Sequence, residues 1–432
     1  MQVKSVVLVD GLRSPFARGG RGKLVATRLD ELGAQVLRAL LDRNPRVKDH
    51  AVEDVGLGNV GGRGEFTLLS AVSRLAGLPF ETCNFISNRQ CGSSLETFQR
   101  IAMAIQLGHI DCGIALGIER MGRSLSGEFG KDTRVTRFNT RLLQMTEAQR
   151  RPAPDHEEYF SVPFPEYILD SPPVLSMLQT AQNVAEVYGL ARQELDRFAA
   201  ESQQRTHRAY EAGIYQDEVL ALEVEDPVYD EDGNWVEGET GPTVKFDRDE
   251  CIRPDTTPEK LAALGPLRGV MSHGGKEIVI TAGNSCPTND GAAAALLMSE
   301  EKARELRLTP LARVVGMAVG GVKPQLMGIG PIVSTKRALR QAGIRAEEID
   351  RVEFNEAFAA QVIPSCRELG IPLERVNVNG GSIAIGHPLG ATGARLVTTV
   401  AMELRRSRTR YGLATQCIGA GMGISTILER LD

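Results

Sequence analysis

Ser87-Asn88-Arg89-Gln90-Cys91-Gly92-Ser93-Ser94-Leu95-Glu96 sets a cysteine between a short apolar segment, Glu81 to Ser87, and a run in which Leu95, Phe98, Ile101, Ala102 and Ile105 recur at helical spacing. The glycine-spaced apolar stretch Cys112-Gly113-Ile114-Ala115-Leu116-Gly117 then supplies the next strand. Strands alternating with helices predict an α/β protein with a largely parallel sheet covered by helices. Cys91 falls at the helix start. The unpaired N–H groups and positive dipole end there favour a thiolate, the form that attacks carbon, and Gly92, Ser93 and Ser94 leave it approachable. A buried structural thiol is the ordinary alternative for a lone cysteine.

The alternation extends in both directions. Upstream lie a strand at Val6–Val9, an amphipathic helix over Leu29–Leu41, a strand at Val55–Val60 and a helix over Leu68–Leu75. The basic, glycine-rich loop Arg18 to Lys23 lacks the Gly-Lys-Ser/Thr ending of a phosphate-binding loop. From about Arg123 to Lys276 the character changes to proline clusters and charged runs, with helices over Thr180–Gly189 and Arg192–Ala212. Downstream, Asp290–Met298 reads as a small-residue helix and Leu311–Ala318 restarts the alternation. Helices over Ser334–Gln341, Ala357–Leu369 and Gly393–Arg405 are interleaved with strands at Val352–Phe354, Val376–Val378, Tyr411–Gln416 and Gly423–Leu428. Residues 1–122, completed by about 277–308, then form an N-terminal α/β half, 123–276 an inserted loop lobe, and 309–432 a C-terminal α/β half. The halves echo one another: strand, turn with Cys91, helix, strand in the first; strand, turn with His387, helix, strand in the second.

The 432 residues exceed what one core usually accommodates, and the 42% apolar fraction suffices for a packed interior. A net charge of -5 gives no signature of a nucleic-acid binder. Seven scattered cysteines without a Cys-x-x-Cys pair argue against a disulfide framework or a structural zinc site, and so for a reducing, cytoplasmic setting. No apolar run approaches the ~20 residues of a membrane span.

Three further stretches carry chemistry. Asn379-Gly380-Gly381-Ser382-Ile383-Ala384-Ile385-Gly386-His387-Pro388-Leu389-Gly390-Ala391-Thr392-Gly393 holds a histidine in rigid, non-helical backbone with glycines that let a ligand approach; a structural turn histidine is the alternative. Thr415-Gln416-Cys417-Ile418-Gly419-Ala420-Gly421-Met422-Gly423 puts a cysteine at a strand end running into a glycine turn that can aim N–H groups at an oxyanion. Asn355-Glu356-Ala357-Phe358 follows a strand, with a helix N-cap at Asn355 as the plainer reading.

Together, in this order, the four segments resemble the signatures of the thiolase family over essentially the whole chain. The resemblance implies a five-layered αβαβα fold and thiolytic cleavage of 3-ketoacyl-CoA by coenzyme A, which is a co-substrate; no permanently bound cofactor or metal is expected. Cys91 would attack the 3-keto carbon and hold the acyl group. His387 would take its proton and later activate the CoA thiol, and Cys417 would protonate the acetyl-CoA enolate. One oxyanion site would form at His387 and an Asn355-held water, the other at the N–H groups of Cys91 and Gly419. Met177, Arg253, Ser285, Cys286, Met327 and Phe358 fall at positions that match substrate or CoA contacts of the family, with Cys286 standing where a serine is usual. Ser176, where a histidine often stands in short-chain members, points away from biosynthetic acetoacetyl-CoA formation. Decarboxylating ketosynthases typically use two histidines where Asn355 and Cys417 stand, and a non-catalytic acyl-CoA-binding subunit would lack the four groups. The family also implies a homodimer or homotetramer and leaves room for a hydratase/dehydrogenase partner subunit.

Overall fold

The computed structural model describes residues 3–61, 68–122, 159–169, 176–273 and 275–431. The first part of the chain forms β1 (Val6–Arg13), β2 (Ala17–Arg18), α1 (Leu29–Arg43), β3 (Asp54–Gly58), α2 (Leu68–Leu75), β4 (Cys83–Ser87), α3 (Ser93–Gln106) and β5 (Cys112–Arg120). Then come α4 (Met177–Val187), α5 (Arg192–Glu211), the hairpin β6 (Leu222–Tyr229) and β7 (Trp235–Phe246), and β8 (Asn289–Ser299). The last part forms β9 (Ala312–Gly321), α6 (Gly330–Ala342), β10 (Ile349–Phe354), α7 (Ala359–Leu369), α8 (Thr392–Ser407), β11 (Tyr411–Ile418) and β12 (Met422–Arg430); one-turn helices between these are left unnumbered.

The strands run β4-β3-β5-β8-β1, then β9-β12-β11-β10. Within the first half, β3 is parallel to β4 and β5, and β8 is antiparallel to β5 and β1. The second half repeats this: β10 is parallel to β11, and β12 is antiparallel to β11 and β9. Val376 contributes only a single bridge to Val352 where a full strand is expected at Val376–Val378, because the chain turns away at Asn377. The halves join through a short antiparallel pairing, Val7 to Arg313 and Leu8 to Ala312. The sheet is therefore mixed rather than largely parallel, since each half ends by returning antiparallel to its own parallel strands.

Three apolar clusters place the helices. Leu37 and Leu40 of α1 pack on Val55, Leu57 and Ile114 outside the first half. Leu95, Phe98 and Ile101 of α3 and Leu396, Val397 and Val400 of α8 share one core with Ala115 and Leu297 of the first half and Ala414 and Ile424 of the second. Ile332 of α6 and Val362 of α7 cover Val352, Leu413 and Ile427 on the far side. The layers are thus helix, sheet, helix, sheet, helix, with α3 and α8 at the centre.

One expectation is overturned in this frame. Asn289–Ser299 is a strand, not a helix, and is buried at every position between β1 and β5. Its Ala- and Leu-rich sequence lacks β-branched residues, so local propensity favours a helix, and burial on both faces removes the alternation that marks a strand.

The chain between β5 and β8 stands where Gly419-Ala420-Gly421 alone joins β11 to β12. Its described part is fixed to the body by buried Arg13 of β1, which donates to Glu218 at 2.5 Å and to both Asp249 oxygens at 2.7 and 3.0 Å. Glu218 also accepts from Thr399 of α8 at 2.8 Å. Pro152, Pro154, Pro172 and Pro173 lie outside the described residues. Among the described residues no helix is long and apolar enough to cross a membrane.

Candidate active site

Cys91 sits two residues before α3 in a tight turn whose Gln90 has a φ of 47°, and Ala420 on the facing loop has a φ of 67°. Left-handed backbone at two residues with a Cβ is strain of the kind that concentrates at functional sites. The Gln416 side-chain amide donates to the Cys91 carbonyl, tying this turn to the end of β11. The N–H groups of Cys91 and Gly419, the pair expected at one oxyanion site, both point at the Cys91 sulfur. Burial nevertheless pushes the thiol up to about 11 and outweighs these donors. Cys91 therefore rests as a thiol, contrary to the thiolate expected from the helix start.

Glycines bring the helix that follows His387 against the helix that follows Cys91. A Cβ on Gly393, in the first turn of α8, would lie 2.3 Å from the Leu95 backbone nitrogen, so the starts of α3 and α8 touch main chain to main chain. Ser94 Oγ accepts from Ala394 N at 3.0 Å across the same contact. Gly386, at φ 113°, turns the chain into His387, whose N–H is held by Asn289 Oδ1 at 2.9 Å.

The imidazole is buried, with its two nitrogens differently engaged. Nδ1 is 2.7 Å from Thr392 Oγ1, whose own proton goes to the Pro388 carbonyl at 2.9 Å. With its proton so placed the hydroxyl accepts, Nδ1 carries the hydrogen and Nε2 a lone pair, an arrangement that the Asn355 amide on the other side of the ring matches. Asn355 Nδ2 stands 3.3 Å from Nε2, and its Oδ1 accepts from Ser382 Oγ at 2.7 Å. Asn355 is thus no helix cap: α7 starts at Ala359 with Phe358 at the cap position. Burial first, and then the cationic Arg395, lower His387 to about 3, so the ring is neutral at rest.

Cys417, fully buried at the end of β11, donates its S–H to Gln361 Oε1 at 3.1 Å. Burial together with the neighbouring Cys91 and Cys286 thiols holds it well above the ordinary thiol range, and burial, then Cys91 and Glu356, raise Cys286. The three thiols therefore share one site. All seven cysteines are free.

Two sequence profiles match the chain: the thiolase N-terminal domain over residues 6–301 and the thiolase C-terminal domain over residues 308–430. The chain belongs to the thiolase family. It is an acyltransferase. "Beta-ketoadipyl-CoA thiolase" of Escherichia coli is 40% identical over 99% of this chain and 100% of its own length, and "3-ketoacyl-CoA thiolase" of Bacillus subtilis 37% identical over 99% and 100%. The crystal structure of human mitochondrial 3-ketoacyl-CoA thiolase superposes with a TM-score of 0.80 at 30% identity over 100% of both chains; a second structure of that enzyme is in complex with CoA.

The other expected positions of this thiolase divide into two groups. Met327, Phe358, Cys286 and Cys417 belong to one apolar cluster, and Ser285 pairs with Phe358 in an antiparallel bridge that carries Cys286 into it. The Ser285 hydroxyl is spent on the Thr281 carbonyl at 2.6 Å. Met177 is the first residue of α4 and is half exposed, while Arg253 lies on an exposed loop and its guanidinium makes no hydrogen bond among the described residues. Its N–H is held by Gln203 Oε1 at 2.7 Å, and Gln203 also donates to the Ile383 carbonyl at 3.2 Å.

The structure adds two carboxyls that sequence reading passed over. Buried Glu119 accepts from Val60, Gly61 and Gly390 N–H at 3.0, 2.8 and 2.9 Å, so it clamps the loop after His387. Buried Glu356 accepts from Ser202 Oγ, Asn377 Nδ2 and Ile383 N at 2.6, 2.7 and 3.0 Å and sets the turn before it. A glutamate closing an otherwise apolar, fully buried strand was the available signal for Glu119; none marked Glu356 apart from its place beside Asn355.

Proposed function

We propose that this thiolase cleaves 3-ketoacyl-CoA with CoA to give acetyl-CoA and a shortened acyl-CoA. The observation that carries the reading is the proton inventory: two thiols held protonated in one site with an imidazole held neutral. A carbon–carbon cleavage beside a ketone needs a nucleophile, a base for it, and an acid for the carbanion.

In the first half-reaction His387 Nε2 takes the Cys91 proton and the sulfur bonds to the 3-keto carbon. The C2–C3 bond breaks, its electron pair passes to the acetyl-CoA enolate, and the Cys417 proton goes to that carbon. Cys91 then carries the acyl group. Burial holds His387 low and Cys417 high, so the proton on His387 passes to the Cys417 sulfur before CoA arrives. In the second half-reaction His387 Nε2 takes the CoA proton as the CoA sulfur bonds to the acyl carbon, and the released Cys91 sulfur recovers that proton from His387. The Cys91 and Gly419 N–H groups face one developing oxyanion, His387 and an Asn355-held water the other.

Met327 and Phe358 supply an apolar wall for the acyl chain, Met177, Ser285 and Cys286 line the pantetheine approach, and Arg253 meets the CoA phosphates. The relatives named above include both a beta-ketoadipyl-CoA thiolase and 3-ketoacyl-CoA thiolases, which frames the substrate test. A homodimer is part of the proposal: among the described residues no strand pairs with the outer edge of β4, and Ile86 within it and Phe80 just before it are 48% and 90% exposed. Residues 1–122 with 277–308, 123–276 and 309–432 serve as the working domain division, with degradation of acyl-CoA in the cytoplasm as the setting.

Steady-state thiolysis with acetoacetyl-CoA, longer 3-ketoacyl-CoAs and 3-oxoadipyl-CoA tests the reading. Parallel double-reciprocal lines with at least one substrate are expected from an acyl-enzyme route. Intersecting lines with every active substrate, or no cleavage of any, would sink it.

A further inference from the structure

Beneath the site a line of hydrogen bonds runs in one direction. Arg395, on α8 and fully buried, donates from one nitrogen to Glu353 and from another to Ser382 Oγ at 3.0 Å. Ser382 Oγ donates to Asn355 Oδ1 at 2.7 Å, and Asn355 Nδ2 faces His387 Nε2 at 3.3 Å. His387 Nδ1 then meets Thr392 Oγ1 at 2.7 Å, and Thr392 donates to the Pro388 carbonyl at 2.9 Å.

The two ends are not equal. The Pro388 carbonyl also accepts the Ala391 and Thr392 N–H groups at 3.0 Å, so it does not depend on the Thr392 hydroxyl, which is free to rotate. A serine hydroxyl and an asparagine amide can reverse in the same way, and so can an imidazole tautomer. A guanidinium cannot, because it has donors and no acceptor. Burial pushes Glu353 up to about 8, yet Arg395 offers only donors in either state of that carboxyl.

We propose that Arg395 is a positioning residue that sets the tautomer of His387 through Ser382 and Asn355. Because Ser382 must accept from Arg395, its one proton goes to Asn355 Oδ1. Asn355 then turns its amide nitrogen toward His387, and Nε2 is left as the lone-pair nitrogen that can take the Cys91 proton. The reversed line would present Asn355 Oδ1 to His387, protonate Nε2 and remove the base. Arg395 also lies close enough to disfavour an imidazolium, which keeps the resting ring neutral. This inference rests on His387 acting as the base.

The test is nitrogen NMR of the full chain labelled in its histidine rings, with His387 assigned by its loss in His387→Asn. Wild type should show a protonated Nδ1 and an unprotonated Nε2. Ser382→Ala cuts the line without leaving a buried charge unpaired, and should protonate Nε2 in a substantial fraction and lower kcat/KM about tenfold. Ser382→Thr, which restores a hydroxyl, should recover the wild-type tautomer; Arg395→Gln, where it folds, should behave as Ser382→Ala. An unchanged Nδ1–H tautomer in folded Ser382→Ala overturns the proposal whatever its activity. A changed tautomer with full activity upholds the positioning by Arg395 and counts against His387 as base, so the two claims fail separately.

Discussion

Replacing Gly393 by alanine tests whether the catalytic geometry depends on main-chain contact between α3 and α8. The new Cβ would meet Leu95 N at 2.3 Å, Leu95 Cβ at 2.6 Å and Leu95 Cα at 2.8 Å. Contacts under 3.0 Å essentially do not occur, so the helices must separate by about 0.7 Å or more, and the atoms in the way are largely backbone. Overpacking of this kind costs about 1–3 kcal/mol, offset by about 1 kcal/mol from the helix preference of alanine over glycine. Function should suffer more than stability. α3 follows Cys91 and α8 follows His387, and an error of about 1 Å between reacting groups costs about a hundredfold in rate. Gly33→Ala in α1 is the control: its Cβ would meet only side-chain methyl groups of Ile118 and Val72, at 3.1 to 3.3 Å. Urea unfolding and thiolysis kinetics on both variants decide the matter. Gly393→Ala with wild-type kcat/KM, or Gly33→Ala with an equal loss, would refute the reasoning.

Three other outcomes follow from the same geometry. Cys417→Ala should slow thiolysis about 100- to 10,000-fold while leaving Cys91 open to acylation by an activated thioester whose leaving thiolate needs no acid, which stopped-flow and mass measurements separate. His387 binds a proton below about 3 in the fold and below 6.5 when unfolded, so the unfolded chain holds more protons in that window. Its contribution is complete above 6.5 and is lost as pH falls, by about 1.4 kcal/mol per pH unit, and urea titrations at pH 7 and 5 should show a shallower decline in His387→Asn than in wild type. Glu119→Gln sets an amide hydrogen against backbone N–H donors and should cost about 1–3 kcal/mol of stability, with slower acylation of Cys91 in the folded fraction; wild-type values in both assays would contradict the clamp.

The groups proposed as catalytic were legible because each lies in a local pattern that folding leaves intact: a cysteine before a helix, a histidine among glycines, a cysteine at a strand end. Their supports were not. Glu119, Glu356 and Arg395 act through partners 13 to 271 residues away, and nothing in their neighbours announces the contact. The charge state of Cys91 was misread for a related reason. The helix start is visible in sequence, whereas the burial that outweighs it arises only when the chain folds. β8 was misread because a strand covered on both faces loses the alternation that identifies strands, and its alanines suit the crowded interior between α1 and the central helices. The layered α/β architecture survived these errors since both halves repeat a parallel strand pair followed by an antiparallel return.

The central claim is that Cys91 carries the acyl group between the half-reactions. Incubation with a 3-ketoacyl-CoA that the enzyme cleaves, acid quench, proteolysis and mass spectrometry of the peptides measures this directly. The adduct should sit on Cys91, disappear when CoA is added, and be absent from Cys91→Ala. An acyl group found on Cys417 or Cys286, or turnover without any adduct and undiminished in Cys91→Ala, would contradict it.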